Sequence, residues 1–361
     1  MIEQIQSNLV SAQVASQVGH IAPVRFDLGN GSFAEPYSLA GWGPEDCPEQ
    51  APAVQWLRGE FFCFPFGMNE SFEHIHGPAA NGPWSVQERD SGRLALAIDL
   101  PEGKGSIIKR VSLRDGERAL YLEHEVRGVE GRYNYAHHPV IFFPEGEAAE
   151  VRVNPFRYAS TFPERFGDPE RGDINLLSEG ARFDDLGRVP LRNGESLSIA
   201  QYPTDERLED MVMFAARDDI ELGWTAVSFD GYVWLSLVSR RDFPSTLFWL
   251  SNGGCQGTPW NGVNGRRLGV EDACSYFSKG LEESRRDLLG DLGVATTAAF
   301  SPGTPTFLRA IQLVHPTQGR KAVETVTPVE ESNFVRLCFE DGSSDFVPVD
   351  WRWALKKGSK Q

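Results

Sequence analysis

The chain has 361 residues, 40% of them hydrophobic, 24% charged and 11% aromatic, proportions of a folded protein rather than a disordered one. Its formal net charge of −16, from 51 acidic against 35 basic residues, would repel phosphate backbones and anionic lipid surfaces. That balance excludes nucleic acid and membrane as partners and favours a neutral small molecule.

The five cysteines Cys47, Cys63, Cys255, Cys274 and Cys338 are scattered without a CxxC spacing and read as ordinary thiols. The stretch from Met1 to Gly19 lacks the basic start and apolar run of a signal peptide, and no apolar run reaches the roughly 18 residues of a membrane helix. A cytoplasmic location is the expectation.

In chain order, residues 1–22 predict a short helix, and the Pro-, Gly- and Trp-rich stretch 36–52 predicts irregular loop. From residue 94 onward, β-branched and aromatic runs recur between Gly, Asp and Pro clusters, the pattern of strands. They fall at 94–98, 106–111, 119–126, 133–143, 151–153, 197–202 and 211–214. More follow at 222–229, 232–238, 245–250, 297–300, 307–314, 333–339 and 345–349. Residues 232–238 read as a strand buried on much of both faces, entered through the turn pair Asp230 and Gly231. Helical spacing is clear only at 282–292, as a surface helix. So many strands without regular helix alternation exclude a doubly wound α/β sheet and predict an all-β sandwich or barrel. After residue 316, two further strand signals and a basic tail at 356–360 predict an appended hairpin or an edge of the same sheet.

Four of the seven histidines fall in two compact places, His74 with His76 and His137 with His138. Histidine titrates near neutrality, so paired with a carboxylate it supplies the parts for moving protons at pH 7. A His-x-His strand also puts two imidazoles on one face, which suits a cupin-like metal site built on His74, His76 and His138, with Glu73 or His124 as further ligands. Against that reading, Ala80 stands where such a motif usually carries its acid. Adjacent strand residues face opposite sides, so only one of His137 and His138 can reach a common pocket.

Three segments read together carry a family resemblance. The segment HGPAANGPW, from His76 to Trp84, resembles the H-G-F-A-R-N-R-x-W segment of the glucose-6-phosphate 1-epimerase branch of the galactose mutarotase superfamily. Upstream, LRGEFFCFPFG, from Leu57 to Gly67, is similar to that branch's R-G-G-I-P-x-x-F-P-x-F-G. The strand AHHPVIF, from Ala136 to Phe142, resembles the superfamily's H-P-Y-F, with His138 before Pro139 at the histidine position. Downstream, Trp249 to Asn252, Trp260 and RLGVE, ending at Glu271, look like the L-x-x-W-N and L-G-I-E segments, and Phe300 to Gly303 is similar to an L-x-P-G turn.

The resemblance spans about Arg58 to Val314 and implies a large antiparallel β-supersandwich of the galactose mutarotase type. The chain then divides into an N-terminal irregular or strand segment at 1–55 packed on the sandwich, the sandwich at 56–316 and a C-terminal extension with a β-hairpin at 317–361. The implied activity is an aldose 1-epimerase that needs no cofactor and no metal. In it Glu271 is the general base, His138 the general acid, and His76 orients the sugar. Arg58, Trp84, Trp249, Trp260 and Asp210 are candidates for binding it, and Asp230 is a weaker one. Where the phosphosugar branch has two arginines this chain has Ala80 and Gly82, so an unphosphorylated aldose or a glycan end is expected. A sugar-binding protein of the same fold without catalysis stays open, as does a homodimer.

Overall fold

A computed structural model describes residues 1–68 and 73–356. Residues 69–72 and most of the basic tail noted in the sequence, 357–360, lie outside the described residues, as does residue 361. The chain is built from antiparallel strands in two large stacked sheets, with smaller sheets over them. The seven-stranded sheet runs in the order Phe156–Thr161, Leu208–Ala216, Ser245–Asn252, Arg267–Cys274, Tyr135–His137, Phe62–Cys63, and Val140–Phe142 also pairs with Arg267–Cys274. The nine-stranded sheet runs Gln201–Tyr202, Ala149–Val153, Leu222–Phe229, Tyr232–Ser239, Thr306–Pro316, Ala119–Arg127, Ser106–Ser112, Arg93–Asp99, Ser85–Arg89.

Alternating side chains divide the apolar residues into three cores. The first lies between the large sheets, where Val212, Phe214, Phe248, Leu250 and Val270 meet Leu120, Leu122, Val227 and Trp234. The second lies on the outer face of the seven-stranded sheet, where Met211, Met213, Leu247, Trp249 and Ala273 are covered by Leu57, Phe61, Phe66 and Phe162. The third lies on the outer face of the nine-stranded sheet. There Tyr121, Trp224, Leu235 and Leu313 pack beneath Val326, Val335, Leu337 and Val347. Strands buried on both faces follow from this layering. Leu208–Ala216 and Leu222–Phe229 are buried at every position and read as near-continuous apolar runs.

Three expectations are corrected. The N-terminal residues form no helix: Ile2–Gln6, Val10–Ala15, His20–Gly29 and Ser32–Ala34 make a four-stranded sheet, whose Ile5, Val14, Val24 and Phe26 join the first core. The C-terminal extension carries three strands rather than two, Val323–Pro328, Phe334–Phe339 and Ser344–Pro348, paired as a separate sheet. The helical spacing at 282–292 resolves into a helix at Gly280–Arg285 and a 3-10 turn at Gly290–Leu292. Among the described residues no helix is long and apolar enough to cross a membrane.

The space between the sheets holds a buried polar cluster. Asp272 accepts hydrogen bonds from Ser236 at 2.7 Å and Thr246 at 2.7 Å and meets Arg240 at 3.2 Å. Arg240 also donates to Asn154 at 2.6 Å and to the Phe243 carbonyl at 3.0 Å. Gly223 makes room for it, because a Cβ there would stand 1.8 Å from the guanidinium Nε. Removing one partner of such a pair strands a charge in a dry interior. Asp272→Ala is therefore expected to lower the unfolding free energy by about 3–5 kcal/mol in urea titration, whereas a loss under about 1 kcal/mol would show the cluster to be dispensable.

Candidate active site

The strand pair Ser245–Asn252 and Arg267–Cys274 sets the register, with Leu247 opposite Glu271 and Trp249 opposite Gly269. Cross-strand partners share a face, so Glu271 and Trp249 both point to the outer side, into the second core. Gly269 is required there, since a Cβ would stand 2.9 Å from the Trp249 Cβ and 3.0 Å from Glu271 Oε1. On the next strand His137 lies opposite Asp272 and faces inward, and His138 faces outward. His138 Nε2 lies 3.2 Å from Glu271 Oε1. His137 Nδ1 meets Glu60 Oε1 at 2.7 Å on the other side.

Both members of the outer pair are buried, Glu271 at 1% exposure and His138 at 4%. Burial pushes the Glu271 carboxyl well above its ordinary range. Burial, with His76 and His20 nearby, pushes His138 well below its own. Each shift disfavours the charged form, so burial favours a neutral pair with the proton on Glu271. His138 Nδ1 and Glu271 Oε2 have no partner on another residue.

His76 is brought to this pair. Its backbone is left-handed at φ 68°, its ring stacks on Phe66 at 5.2 Å, and its edge meets His138 with ring centres 5.3 Å apart. The Gly67 amide donates to its Nδ1 at 3.3 Å, which puts the proton of the neutral ring on Nε2. Burial lowers its pKa to about 3. Asn81 fixes the short helix Gly77–Asn81 that follows: its side chain donates to the Ile75 and Gly77 carbonyls and accepts from the Ala53 amide.

The remaining expected residues divide. Trp249 presents its ring edge to His138 at 6.0 Å and donates from its indole to Glu209 at 2.7 Å. Trp260 packs on Trp42 at 5.2 Å beside the second core, and its buried indole nitrogen has no partner. The Arg58 guanidinium lies over Trp56 at 5.0 Å, its Nε without a partner, and burial lowers its pKa. Trp84 is not brought to the pair: it lies in the first core, its indole bonded to the Ala79 carbonyl at 3.1 Å. Asp210 is also elsewhere, because it alternates with Glu209 and accepts from the Leu176 and Leu177 amides.

Glu209 is what the sequence reading missed on this strand. It faces the same side as Trp249, accepts from the Trp249 indole and from Ser251 at 3.0 Å, and burial raises its pKa to about 8. Alternation from Met211, opposite Trp249, would have found it. His20 was also missed. Its ring is fully buried, stacks on Phe61 at 4.3 Å, and is held down to a pKa of about 3 by burial and by Lys109. Of the metal site considered from the sequence, His74 pairs with Glu73 at 4.0 Å. Among the described residues no three His, Cys, Asp or Glu side chains are arranged to hold a metal ion.

Solved structures align along most of the chain. A galactose mutarotase related enzyme from Lactobacillus acidophilus matches with TM-score 0.56 and 14% identity, over 89% of this chain and 100% of that one. A galactose mutarotase-like protein from Lactobacillus casei matches with TM-score 0.55 and 12% identity, over 87% and 100%. This is the galactose mutarotase-like fold. A candidate aldose 1-epimerase from Escherichia coli K12 shares it at TM-score 0.57 and 14% identity, over 88% of this chain and 99% of that one. No family model matches the sequence, and no curated protein matches it. Within the mutarotase-like fold, the Glu271 and His138 pair sits on the outer face of the seven-stranded sheet.

Glu209 gives a pH test of the buried face. Its raised pKa means the folded protein keeps a proton that the unfolded chain releases above about 4.5. Its stabilising contribution is present below that pH and is lost as pH rises toward 8. Glu209→Gln is expected to gain on wild type between pH 5 and 8, by at most about 1.4 kcal/mol per pH unit, in urea midpoints taken across that range. A pH-independent difference would show Glu209 to be ionised when folded.

Proposed function

We propose that this chain catalyses interconversion of the anomers of an unphosphorylated aldose, with Glu271 and His138 as its proton-handling pair. The observation that supports this most is their 3.2 Å separation on a buried face, with Glu271 Oε2 and His138 Nδ1 left without a partner on another residue. Opening a cyclic sugar takes a proton from the hydroxyl on C1 and delivers one to the ring oxygen as the C1–O5 bond breaks. The two oxygens share one carbon, so the acid and the base must stand side by side. A pair within proton-transfer reach meets that demand, and each positioned group contributes about 10² to 10⁴ in rate.

The shared proton sets the direction. With the proton on Glu271 and His138 neutral, Glu271 protonates the ring oxygen while His138 Nε2 takes the proton from O1. This reverses the roles implied by the resemblance and leaves the proton count unchanged. After rotation about C1–C2 the aldehyde closes on its other face and the two transfers run backward. His76, with its proton on Nε2, would donate to a sugar oxygen, and the Trp260 indole is a second unused donor.

A neutral substrate is supported by the chain's −16 charge and by the positions where the phosphosugar motif has arginine. Ala80 is fully buried, and a side chain on Gly82 would meet Ile98 at 2.6 Å. A second reading, sugar binding without turnover, is favoured by the burial of the pair, whose two members are almost inaccessible to solvent.

Polarimetry or saturation-transfer NMR on a panel of neutral and 6-phosphorylated aldoses separates the two. Wild type should accelerate anomer exchange of a neutral sugar, and Glu271→Gln should lose at least about 10²-fold of that rate. Binding without acceleration would establish the second reading, and full activity in the variant would remove the pair from the mechanism.

A further inference from the structure

A histidine that moves protons is ordinarily aimed by a hydrogen bond from its second ring nitrogen to a carboxylate or carbonyl. His138 has no such bond to another residue: its Nδ1 is buried and meets only the backbone of His138 itself. Its orientation comes instead from flat surfaces. The Phe61 ring lies against it face to face, with centres 4.4 Å apart and planes 27° apart. His76 meets it edge-on at 88°, and Trp249 meets it edge-on at 81°.

Phe61 is itself held from behind. His20 stacks on its other face at 4.3 Å and 15°, which makes a three-ring column of His20, Phe61 and His138. The column is fixed at both ends by backbone. Ile21 and Glu60 exchange amide hydrogen bonds of 2.8 and 3.0 Å beside His20 and Phe61, and the His138 amide donates to the Phe61 carbonyl at 2.9 Å. The two His20 ring nitrogens face the Ala80 carbonyl at 3.0 Å and the Trp56 carbonyl at 3.2 Å, and the single N–H of the neutral ring donates to one of them. Phe61 is 1% exposed and His20 fully buried, so neither ring has room to turn.

We propose that Phe61, backed by His20, is the positioning residue that aims His138 Nε2 at Glu271, in place of a hydrogen bond from Nδ1 to another residue. The inference deepens the acid/base reading of this site and rests on it for its effect on turnover. Its geometric content stands apart from activity. A flat face fixes the plane of an imidazole but does not choose its tautomer, which is left to Glu271 at Nε2 and to the residue's own backbone at Nδ1. Loss of the face frees the ring to rotate about Cβ–Cγ, and the alignment with Glu271 is lost with it. Misplacement of this kind costs turnover more than binding.

The test is ¹⁵N NMR of imidazole-labelled protein, with His138 assigned by its absence from His138→Asn, for wild type, Phe61→Leu and Phe61→Tyr. Leucine fills most of the volume without a flat face, and tyrosine keeps the face. Should Phe61→Leu not fold, Phe61→Met takes its place. Wild type and Phe61→Tyr are expected to show two well-separated His138 nitrogen shifts, the mark of one tautomer. In Phe61→Leu the shifts should converge as tautomers mix. Unchanged separation in Phe61→Leu overturns the proposal whatever the enzyme's activity. In anomer exchange Phe61→Leu should lose about 10- to 100-fold in kcat with KM within about twofold, and Phe61→Tyr should retain most of the rate. A fall carried by KM would also overturn it. Wild type without anomer exchange removes the acid/base reading, and the nitrogen shifts then still decide whether Phe61 orients His138.

Discussion

Neighbouring residues on an extended strand point to opposite faces, and two adjacent pairs near the centre of the seven-stranded sheet turn that rule into a division of labour. Glu271 and His138 face outward and meet each other, while Asp272 and His137 face inward and meet Arg240 and Glu60. The inward pair is tied into bonded networks that lock the strands in register. Gln312 donates to Glu60 at 2.8 Å and Tyr37 donates to Gln312 at 2.6 Å, which links the inner face of one sheet to the other. A slip of one residue would exchange the two sets and destroy both.

The outward face is dry, and dryness sets its chemistry. Glu271, Glu209 and His76 are all pushed toward their uncharged forms by loss of water. The transfer through the sugar turns this neutral acid and neutral base into a carboxylate and an imidazolium 3.2 Å apart, so the two new charges compensate each other where water does not reach. The same environment penalises an ionic ligand unless a counter-charge is built in, and the positions that would carry one hold Gly82 and the buried Ala80.

The sheets were legible where the sequence alternates or runs apolar between turn residues. The strand expected at 222–229 is the one observed, and those at 232–238 and 106–111 fall one residue short. Ile2–Gln6 and Val10–Ala15 were not, because their outward positions carry Gln and Ser and a charged residue, Glu3, sits on the buried face, a pattern that says as much about a helix as about a strand. For the candidate site, order along the chain was enough to name His76, His138 and Glu271, three side chains that the fold brings together. It could not reach Phe61 or His20, whose roles exist only in three dimensions and whose residue types are ordinary core choices. Asp210 and Trp84 were misplaced for a related reason: a polar or aromatic residue near a motif gives its position in the chain but not its face.

The three-stranded sheet from Val323 to Pro348, with Trp351 and Ala354 after it, covers an apolar surface on the nine-stranded sheet. Its strands follow, in chain order, every strand of the sheet they shield. A ribosome therefore makes that surface before its cover, and for an interval the nascent chain displays Trp224, Leu235 and Leu313 to its surroundings. The strands that cover this face are the last to be made.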